Sequence, residues 1–111
     1  SHDLVVVHVE APDEAGHSGS IAQKVESIER SDEEIVGRLL RYTEEELRVL
    51  IMPDHPTPIE IRTHTSDPVP FMIWGHGIKS NGAKRLTEAE ADGSGFRIEN
   101  GYVIINRLID L

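Results

Sequence analysis

Two kinds of apolar pattern alternate along the first half of the chain. Residues 4–9 form a continuous run of apolar, mostly β-branched side chains that is interrupted only by His8. Residues 47–52 form a second, mainly apolar run. Between them, apolar residues recur at helical spacing over residues 21–42, which predicts a long amphipathic helix. Because a strand, a helix and a second strand make a βαβ unit, we expect the two strands to be parallel.

The second half of the chain predicts shorter elements. Residues 59–62 alternate between apolar and polar and predict a short strand, and residues 69–74 predict a further apolar strand. Residues 87–90 have the pattern of a capped helical turn. Residues 100–111 favour a strand by composition but a helix by spacing, and we choose the helix. Together these elements predict an α/β fold with three layers, in which helices flank a mostly parallel sheet.

Composition and charge restrict the classes of partner. The 111 residues suffice for one domain, which we assign to residues 3–111, with Ser1–His2 as the remnant of a cleaved expression tag. A formal charge of −9 argues against nucleic acid and anionic membranes as partners and is compatible with binding cations. The chain has no cysteine, no apolar run of transmembrane length and no visible signal peptide. We therefore expect a cytoplasmic protein without disulfides or thiolate metal sites.

Carboxylate and imidazole side chains are concentrated in short stretches that resemble loops. Residues 11–20 contain one proline and two glycines, and we predict a loop there. Within it, Asp13 and His17 are four residues apart, so a single helical turn would place them on one face. A carboxylate and a neutral imidazole together suit Zn, Mn, Co or Fe.

Further candidate ligands follow the later predicted strands. Asp54 and His55 come directly after residues 47–52, and His64 follows the next short segment. Since ligands of open α/β sheets collect beyond the carboxyl ends of the strands, Asp13 and the Asp54–His55 pair should emerge on one rim. Prolines around the pair would stiffen its loop. We therefore predict a shared metal site; the alternative from spacing alone is a set of acidic and imidazole side chains without a common role.

Longer strings of the sequence resemble one known family. These strings are Val7–His17, Lys24–Glu29, Met52–Pro58 and Arg62–Phe71. They are similar to the archaeal-type cofactor-independent (2,3-bisphosphoglycerate-independent) phosphoglycerate mutases of the alkaline phosphatase superfamily. The resemblance extends over nearly the whole chain from Asp3 onward and keeps four motifs in order.

The resemblance implies a metal-dependent isomerase that interconverts 3-phosphoglycerate and 2-phosphoglycerate through a phosphoserine intermediate. It implies that Asp13, His17 and His64 bind one divalent ion, and that Asp54 and His55 bind a second. Mn²⁺ is the expected metal, with Zn²⁺, Co²⁺ and Mg²⁺ as alternatives. Two such ions can activate a serine alkoxide and stabilise the phosphoryl oxygens during transfer.

The resemblance also implies that other parts of the enzyme are needed. In the family, the nucleophilic serine, a further aspartate ligand and the substrate-binding residues lie elsewhere in a much longer polypeptide. The chain also opens directly on an apolar run. We therefore expect a C-terminal fragment that contains no catalytic residue, is inactive alone and self-associates through exposed sheet edges. The substrate-binding residues stay unassigned.

Two other functions are compatible with the same residues. The parent protein could be a different phosphomutase or phosphatase of the alkaline phosphatase superfamily. Alternatively, the chain could be a non-enzymatic acidic module that binds cations or a partner. Metal titration separates the last alternative from the other two, and substrate profiling of the parent protein separates those two from each other.

Overall fold

The computed structural model of the chain describes residues 3–42 and 46–110. Ser1 and His2, which we predicted to be a tag remnant, and Leu111, the last residue of the predicted C-terminal helix, lie outside the described residues. By contacts the chain divides into two units. The first unit comprises Ser1–Tyr42 and Pro56–Ser66, and the second comprises Thr43–His55 and Asp67–Leu111.

Helices dominate the first unit. Helix α1 spans Ala11–Ser18 and packs against helix α2, which spans Ile21–Ser31. The helical path continues through a π-helical segment, Asp32–Val36, into helix α3, Gly37–Leu40. The long helix predicted over residues 21–42 is thus confirmed as far as Leu40. It starts where expected because the hydroxyl of its N-cap serine accepts a hydrogen bond from a main-chain N–H of the first turn.

The loop predicted at residues 11–20 is wrong, since most of this stretch is helix α1. Pro12 is the second residue of the helix, where its missing N–H costs no intrahelical hydrogen bond. Gly19 is the C-cap, with φ 73° in the left-handed region that glycine adopts readily. Two of the three residues on which the loop prediction was based, Pro12 and Gly19, therefore mark the ends of a short helix, and the third, Gly16, lies within it.

The strand predicted at residues 4–9 is also wrong. Residues 4–10 adopt neither helix nor strand, and Val5 and Val6 are 70% and 82% exposed. A strand is stabilised by hydrogen bonds and side-chain contacts with a neighbouring strand, and none of the described strands pairs with this run. The predicted parallel pairing with residues 47–52 is therefore absent from the described part of the chain.

A two-stranded antiparallel sheet forms in the second unit. Strand β1 spans Arg48–Ile51 and strand β2 spans Met72–Gly75, which confirms the strands predicted at 47–52 and 69–74 in shortened form. Arg48 lies opposite the last residue of β2 and Ile51 lies opposite the first. The α/β character is confirmed in this partial form. The sheet among the described residues is antiparallel, which differs from the mostly parallel sheet that we predicted.

Two short helices complete the second unit. Helix α4 spans Glu88–Gly93, and the Thr87 hydroxyl caps it by accepting a hydrogen bond at 3.2 Å, as the capping pattern predicted. A 3₁₀ turn, Gly101–Val103, leads into helix α5, Ile104–Ile109, so the choice of helix for the last segment is confirmed. The guanidinium of Arg48 donates to two carbonyl oxygens at the end of α5, which attaches this helix to the sheet.

The buried apolar core of each unit is small. Ala15 is buried in the first unit and Ile104 in the second, whereas many large apolar side chains in the described ranges stay exposed. One polar side chain, that of Thr57, is buried at 5% exposure in the first unit. Among residues 3–42 and 46–110, none of the helices has the length and apolarity that crossing a bilayer requires.

Candidate metal centre

Three predicted ligands from two parts of the first unit converge at one point. Nε2 of His64 lies 3.0 Å from Oδ1 of Asp13 and 3.1 Å from Nε2 of His17. Nε2 of His17 lies 3.3 Å from Oδ2 of Asp13. All three side chains are partly exposed, so an ion could reach them from solvent.

Helix α1 supplies two of the three side chains. Asp13 and His17 are four residues apart and therefore lie on the same face, one helical turn from each other. Asp13 lies in the first turn and His17 in the last turn. The helix dipole favours a carboxylate near the first end and an imidazolium near the second. The short helix thus fixes both side chains, as the spacing predicted for a helical turn.

The loop formed by residues 56–66 supplies His64. Its base is closed by a hydrogen bond from the main-chain N–H of Thr65 to the carbonyl of Pro56, 3.2 Å long. Inside the loop, the N–H of Arg62 donates to the carbonyl of Pro58 at 2.8 Å and forms a turn. The prolines restrict φ within this loop, so His64 is held next to α1 by a stiff segment.

Residues 59–62, where we predicted a short strand, form a turn. That prediction is wrong because Arg62 has φ 59°, in the left-handed region that a strand cannot contain and that side chains other than glycine seldom adopt. This conformation directs its carbonyl oxygen to Nδ1 of His17 at 2.9 Å. Since a carbonyl oxygen only accepts, Nδ1 carries the donated proton. In the neutral imidazole, Nε2 therefore presents a lone pair to the centre.

Thr57 holds the carboxylate of Asp13. Its hydroxyl donates to Oδ1 of Asp13 at 2.6 Å. This hydrogen bond lowers the pKa of Asp13, partial burial opposes it, and the neighbouring imidazoles of His17 and His64 lower the pKa further. Asp13 is therefore ionised at neutral pH and presents a negative charge to the two imidazoles.

Sequence reasoning missed Thr57 and Arg62. The only signal for Thr57 is its place between two prolines in a loop already predicted to be stiff. The sequence gives no indication of the role of Arg62, because arginine is not a residue type that favours the left-handed conformation. Both act on helix α1 across more than 40 residues of sequence. Such contacts depend on tertiary packing and cannot be predicted from local pattern.

The donor set suits a divalent transition-metal ion. With metal–ligand distances of about 2.0–2.2 Å, neighbouring ligands of a four- to six-coordinate ion lie about 3–3.5 Å apart. The separations of 3.0 Å from His64 to Oδ1 of Asp13, 3.3 Å from His17 to its Oδ2 and 3.1 Å between the two imidazoles fall in that range, and one ligand atom from each residue lies within 4.8 Å of the other two. The lone pair on Nε2 of His17 and the Oδ2 atom of Asp13 repel each other unless positive charge lies nearby. A proton or a metal cation at this point supplies that charge.

Asp54 and His55 belong to the second unit and follow strand β1, as predicted. The main-chain N–H of His55 donates to Oδ1 of Asp54 at 3.0 Å, and Nε2 of His55 lies 3.4 Å from Oδ2. In the described ranges, three potential ligands converge at Asp13, His17 and His64 alone. The role of Asp54 and His55 as ligands of a second ion stays a prediction. That role rests on the family resemblance. The separate argument for a common rim of parallel strands requires a strand at residues 4–9, which does not form.

Comparison with known proteins gives a consistent assignment. The family profile described as Metalloenzyme superfamily matches residues 1–100. A 2,3-bisphosphoglycerate-independent phosphoglycerate mutase of Methanothrix thermoacetophila is 48% identical over 112 residues, covering 98% of this chain and 29% of the relative. A protein of the same name from Methanosarcina mazei is 54% identical over 77 residues, covering 67% of this chain and 19% of the relative.

A solved structure supports the same assignment. The structure of a protein from Pyrococcus horikoshii superposes with a TM-score of 0.82 at 37% identity, covering 89% of this chain and 30% of that one. The chain thus spans less than a third of the length of these relatives. Because the family profile covers nearly all of the sequence, the chain belongs to the Metalloenzyme superfamily.

Proposed function

We propose that this chain provides the metal-binding part of a phosphoglycerate mutase that interconverts 3-phosphoglycerate and 2-phosphoglycerate through a phosphoserine intermediate. The observation that carries the proposal is the convergence of Asp13, His17 and His64, with Nε2 of His17 3.3 Å from the carboxylate and its Nδ1 engaged by a carbonyl. The mutase names of the relatives supply the substrate class. Cysteine is absent from the sequence, which favours a cytoplasmic setting for this reaction.

We propose that Asp13, His17 and His64 hold one divalent ion and that Asp54 and His55 contribute to a second. One carboxylate with two imidazoles is a ligand set that Mn²⁺, Zn²⁺ and Co²⁺ accept. We favour Mn²⁺ over Zn²⁺, Co²⁺ and Mg²⁺. When bound, the ions supply positive charge that polarises a phosphoryl group and lowers the pKa of a hydroxyl nucleophile. The residues of this chain orient the ligands and balance the ionic charge.

The residues around the centre have separate tasks in this proposal. The ionised carboxylate of Asp13 offsets part of the cationic charge. The Arg62 carbonyl keeps the proton of His17 on Nδ1 and so leaves Nε2 available as a ligand. Since the side chains of the centre are one-third to one-half exposed, a phosphorylated substrate could approach them without a prior opening of the first unit.

The proposal requires further parts of a larger protein. By the family resemblance, the serine nucleophile and the substrate-binding groups come from outside this chain, and so would the remaining strands of a three-layer, mostly parallel sheet. We therefore propose that the chain has no mutase activity alone. Exposed apolar side chains, such as Val6 and Ile21, support the accompanying prediction that the isolated chain self-associates.

Calorimetric titration with Mn²⁺ tests the metal site. The wild-type chain should bind the ion, and His17→Ala should remove the binding. His76→Ala is the matched control, because His76 is an exposed histidine of the second unit. A wild-type chain without measurable binding, or equal binding by His17→Ala, would contradict the proposal. An assay that converts 2-phosphoglycerate with enolase should show no turnover by the isolated chain, and substrate profiling of the parent protein tests the choice of phosphoglycerate.

A further inference from the structure

We propose that Thr57 and Lys24 are positioning residues of this centre: Lys24 fixes the main chain of Thr57, and the Thr57 hydroxyl orients the Asp13 carboxylate toward a bound cation. This inference rests on the proposed metal centre. It gives a role in metal binding to a threonine and a lysine, two residue types that are not usual metal ligands. Three residues of the first unit lie against Thr57: Asp13, Lys24 and Gly16.

The first contact is the hydrogen bond between Thr57 and Asp13. At 2.6 Å it has the length of a hydroxyl bound to a charged carboxylate oxygen. The oxygen that accepts it, Oδ1, also lies 3.0 Å from Nε2 of His64. The other oxygen, Oδ2, is left facing Nε2 of His17 at 3.3 Å. Thr57 therefore fixes the orientation of the Asp13 carboxylate, with Oδ1 toward its own hydroxyl and Oδ2 toward His17.

Burial makes this hydrogen bond difficult to replace. Thr57 is 5% exposed, whereas the side chain of Asp13 is 36% exposed. If the hydroxyl were removed, water would have little access on the Thr57 side of the carboxylate. A methyl group in its place would leave Oδ1 without that donor, and the carboxylate would be free to rotate away from the two imidazoles.

Lys24 holds the main chain that carries this hydroxyl. Its ammonium nitrogen, at the end of a half-buried side chain on α2, donates to the carbonyl oxygen of Thr57 at 2.6 Å. A charged donor makes a stronger hydrogen bond than a neutral one. Helix α2 thus anchors the loop of residues 56–66 at the residue that contacts Asp13.

Gly16 allows the loop to lie directly on helix α1. A Cβ atom at Gly16 would clash with the carbonyl oxygen of Thr57 and would lie 2.9 Å from its Cγ2 atom. Thr57 is therefore held through its carbonyl, its methyl group and its hydroxyl at once. A residue fixed in this way can hold a ligand to the fraction of an ångström that a metal site needs.

The experiment compares Mn²⁺ binding by four variants with the wild type, using the EPR signal of free Mn²⁺ and calorimetry. Thr57→Val keeps the shape and removes the hydroxyl, whereas Thr57→Ser keeps the hydroxyl. Lys24→Met removes the ammonium and keeps most of the stem. Thr63→Val makes the same chemical change as the first variant at an exposed threonine of the same loop and serves as the matched control.

We expect Thr57→Val to weaken Mn²⁺ binding about 10- to 100-fold, as the loss of groups that orient metal ligands typically does. Thr57→Ser and Thr63→Val should bind Mn²⁺ with nearly the affinity of the wild type. The affinity of Lys24→Met should lie between those of the wild type and Thr57→Val. The EPR spectrum of bound Mn²⁺ should also change in Thr57→Val, because the ligand field depends on how the carboxylate is oriented. Circular dichroism of the metal-free variants separates this effect from unfolding.

The outcomes distinguish this inference from the proposed function. Equal Mn²⁺ binding by the wild type and Thr57→Val would overturn the inference and leave the metal centre standing. A loss in Thr57→Val that Thr57→Ser does not restore would also overturn it, since the hydroxyl would not be responsible. If Thr57→Val does not fold, unchanged binding by Lys24→Met overturns the inference. Absence of binding by the wild type would overturn the proposed metal centre, and this inference with it.

Discussion

The imidazole of His17 donates from Nδ1 to the main-chain carbonyl of Arg62, a residue in the left-handed conformation, at 2.9 Å. The left-handed backbone of Arg62 thus places the carbonyl oxygen that orients the imidazole of His17. A left-handed residue other than glycine costs free energy, and such residues persist where the surrounding structure holds them. Here the turn after Pro58 holds Arg62, and the gain is a fixed tautomer at His17.

Replacing Arg62 tests this connection. Valine is β-branched and tolerates the left-handed region worse than arginine, so Arg62→Val should lower the free energy of unfolding and be about 1–2 kcal/mol less stable than Arg62→Gly. It should also weaken Mn²⁺ binding, because the carbonyl would turn away from His17. Arg62→Gly is the matched control: it also loses the side chain but adopts φ 59° without strain. Urea denaturation and calorimetry measure both effects, and equal behaviour of the two variants would contradict the account.

Gly16 should not tolerate a side chain. In Gly16→Ala the new methyl group meets a main-chain oxygen of Thr57, which cannot move without shifting the loop. Overpacking of this kind costs about 1–3 kcal/mol of stability, and Mn²⁺ binding should fall as well. At Gly93, in helix α4, a Cβ atom meets nothing within 4 Å, so Gly93→Ala is the control. Thermal unfolding of both variants measures the difference in stability. A Gly16→Ala chain as stable as Gly93→Ala would contradict the close approach of Gly16 to the main chain of Thr57.

The pKa of Asp13 should report the Thr57 hydroxyl. In the metal-free wild type this pKa is lowered, first by the hydrogen bond from Thr57. A lowered carboxyl pKa stabilises the folded chain above the unfolded pKa, and this contribution is lost as the pH falls through the folded pKa. Thr57→Val should therefore raise the Asp13 pKa toward its ordinary value, so that Asp13 contributes less stability at neutral pH and less stability is lost on acidification. Carboxyl ¹³C NMR titration measures the shift, and an unchanged pKa in the variant would count against the contact.

Metal binding should stabilise the chain. A ligand that binds the folded form alone adds about 2.7 kcal/mol when its concentration is 100 times the dissociation constant. Mn²⁺ should therefore raise the melting temperature of the wild type, and EDTA should reverse the increase. The increase should disappear in His17→Ala and persist in His76→Ala. An equal rise in all three proteins would indicate non-specific binding to the acidic surface.

Local pattern was sufficient where the structure depends on local interactions. The helix from Ile21 and the capped turn at Thr87 follow from periodicity and a capping residue, and both form. The convergence of Asp13 and His17 also follows from spacing, because four residues are one helical turn. These elements require no information about distant residues.

Pattern failed where the outcome depends on a partner or on backbone detail. Residues 4–9 have strand composition, but a strand also needs a neighbour, and none of the described strands supplies one. Pro12 and Gly19 were interpreted as breakers although their positions at opposite ends are those of a helix start and stop. Thr57 reaches Asp13 across 44 residues, so its role becomes visible only in the folded chain.

A crystal structure of the chain grown with Mn²⁺, with diffraction data collected at the manganese absorption edge, would show whether Asp13, His17 and His64 bind the ion. We expect an anomalous difference peak bonded to the Asp13 carboxylate and to Nε2 of His17 and His64, with the Thr57 hydroxyl still on Oδ1 of Asp13. Manganese bound elsewhere, with no peak among these three side chains, would contradict this expectation.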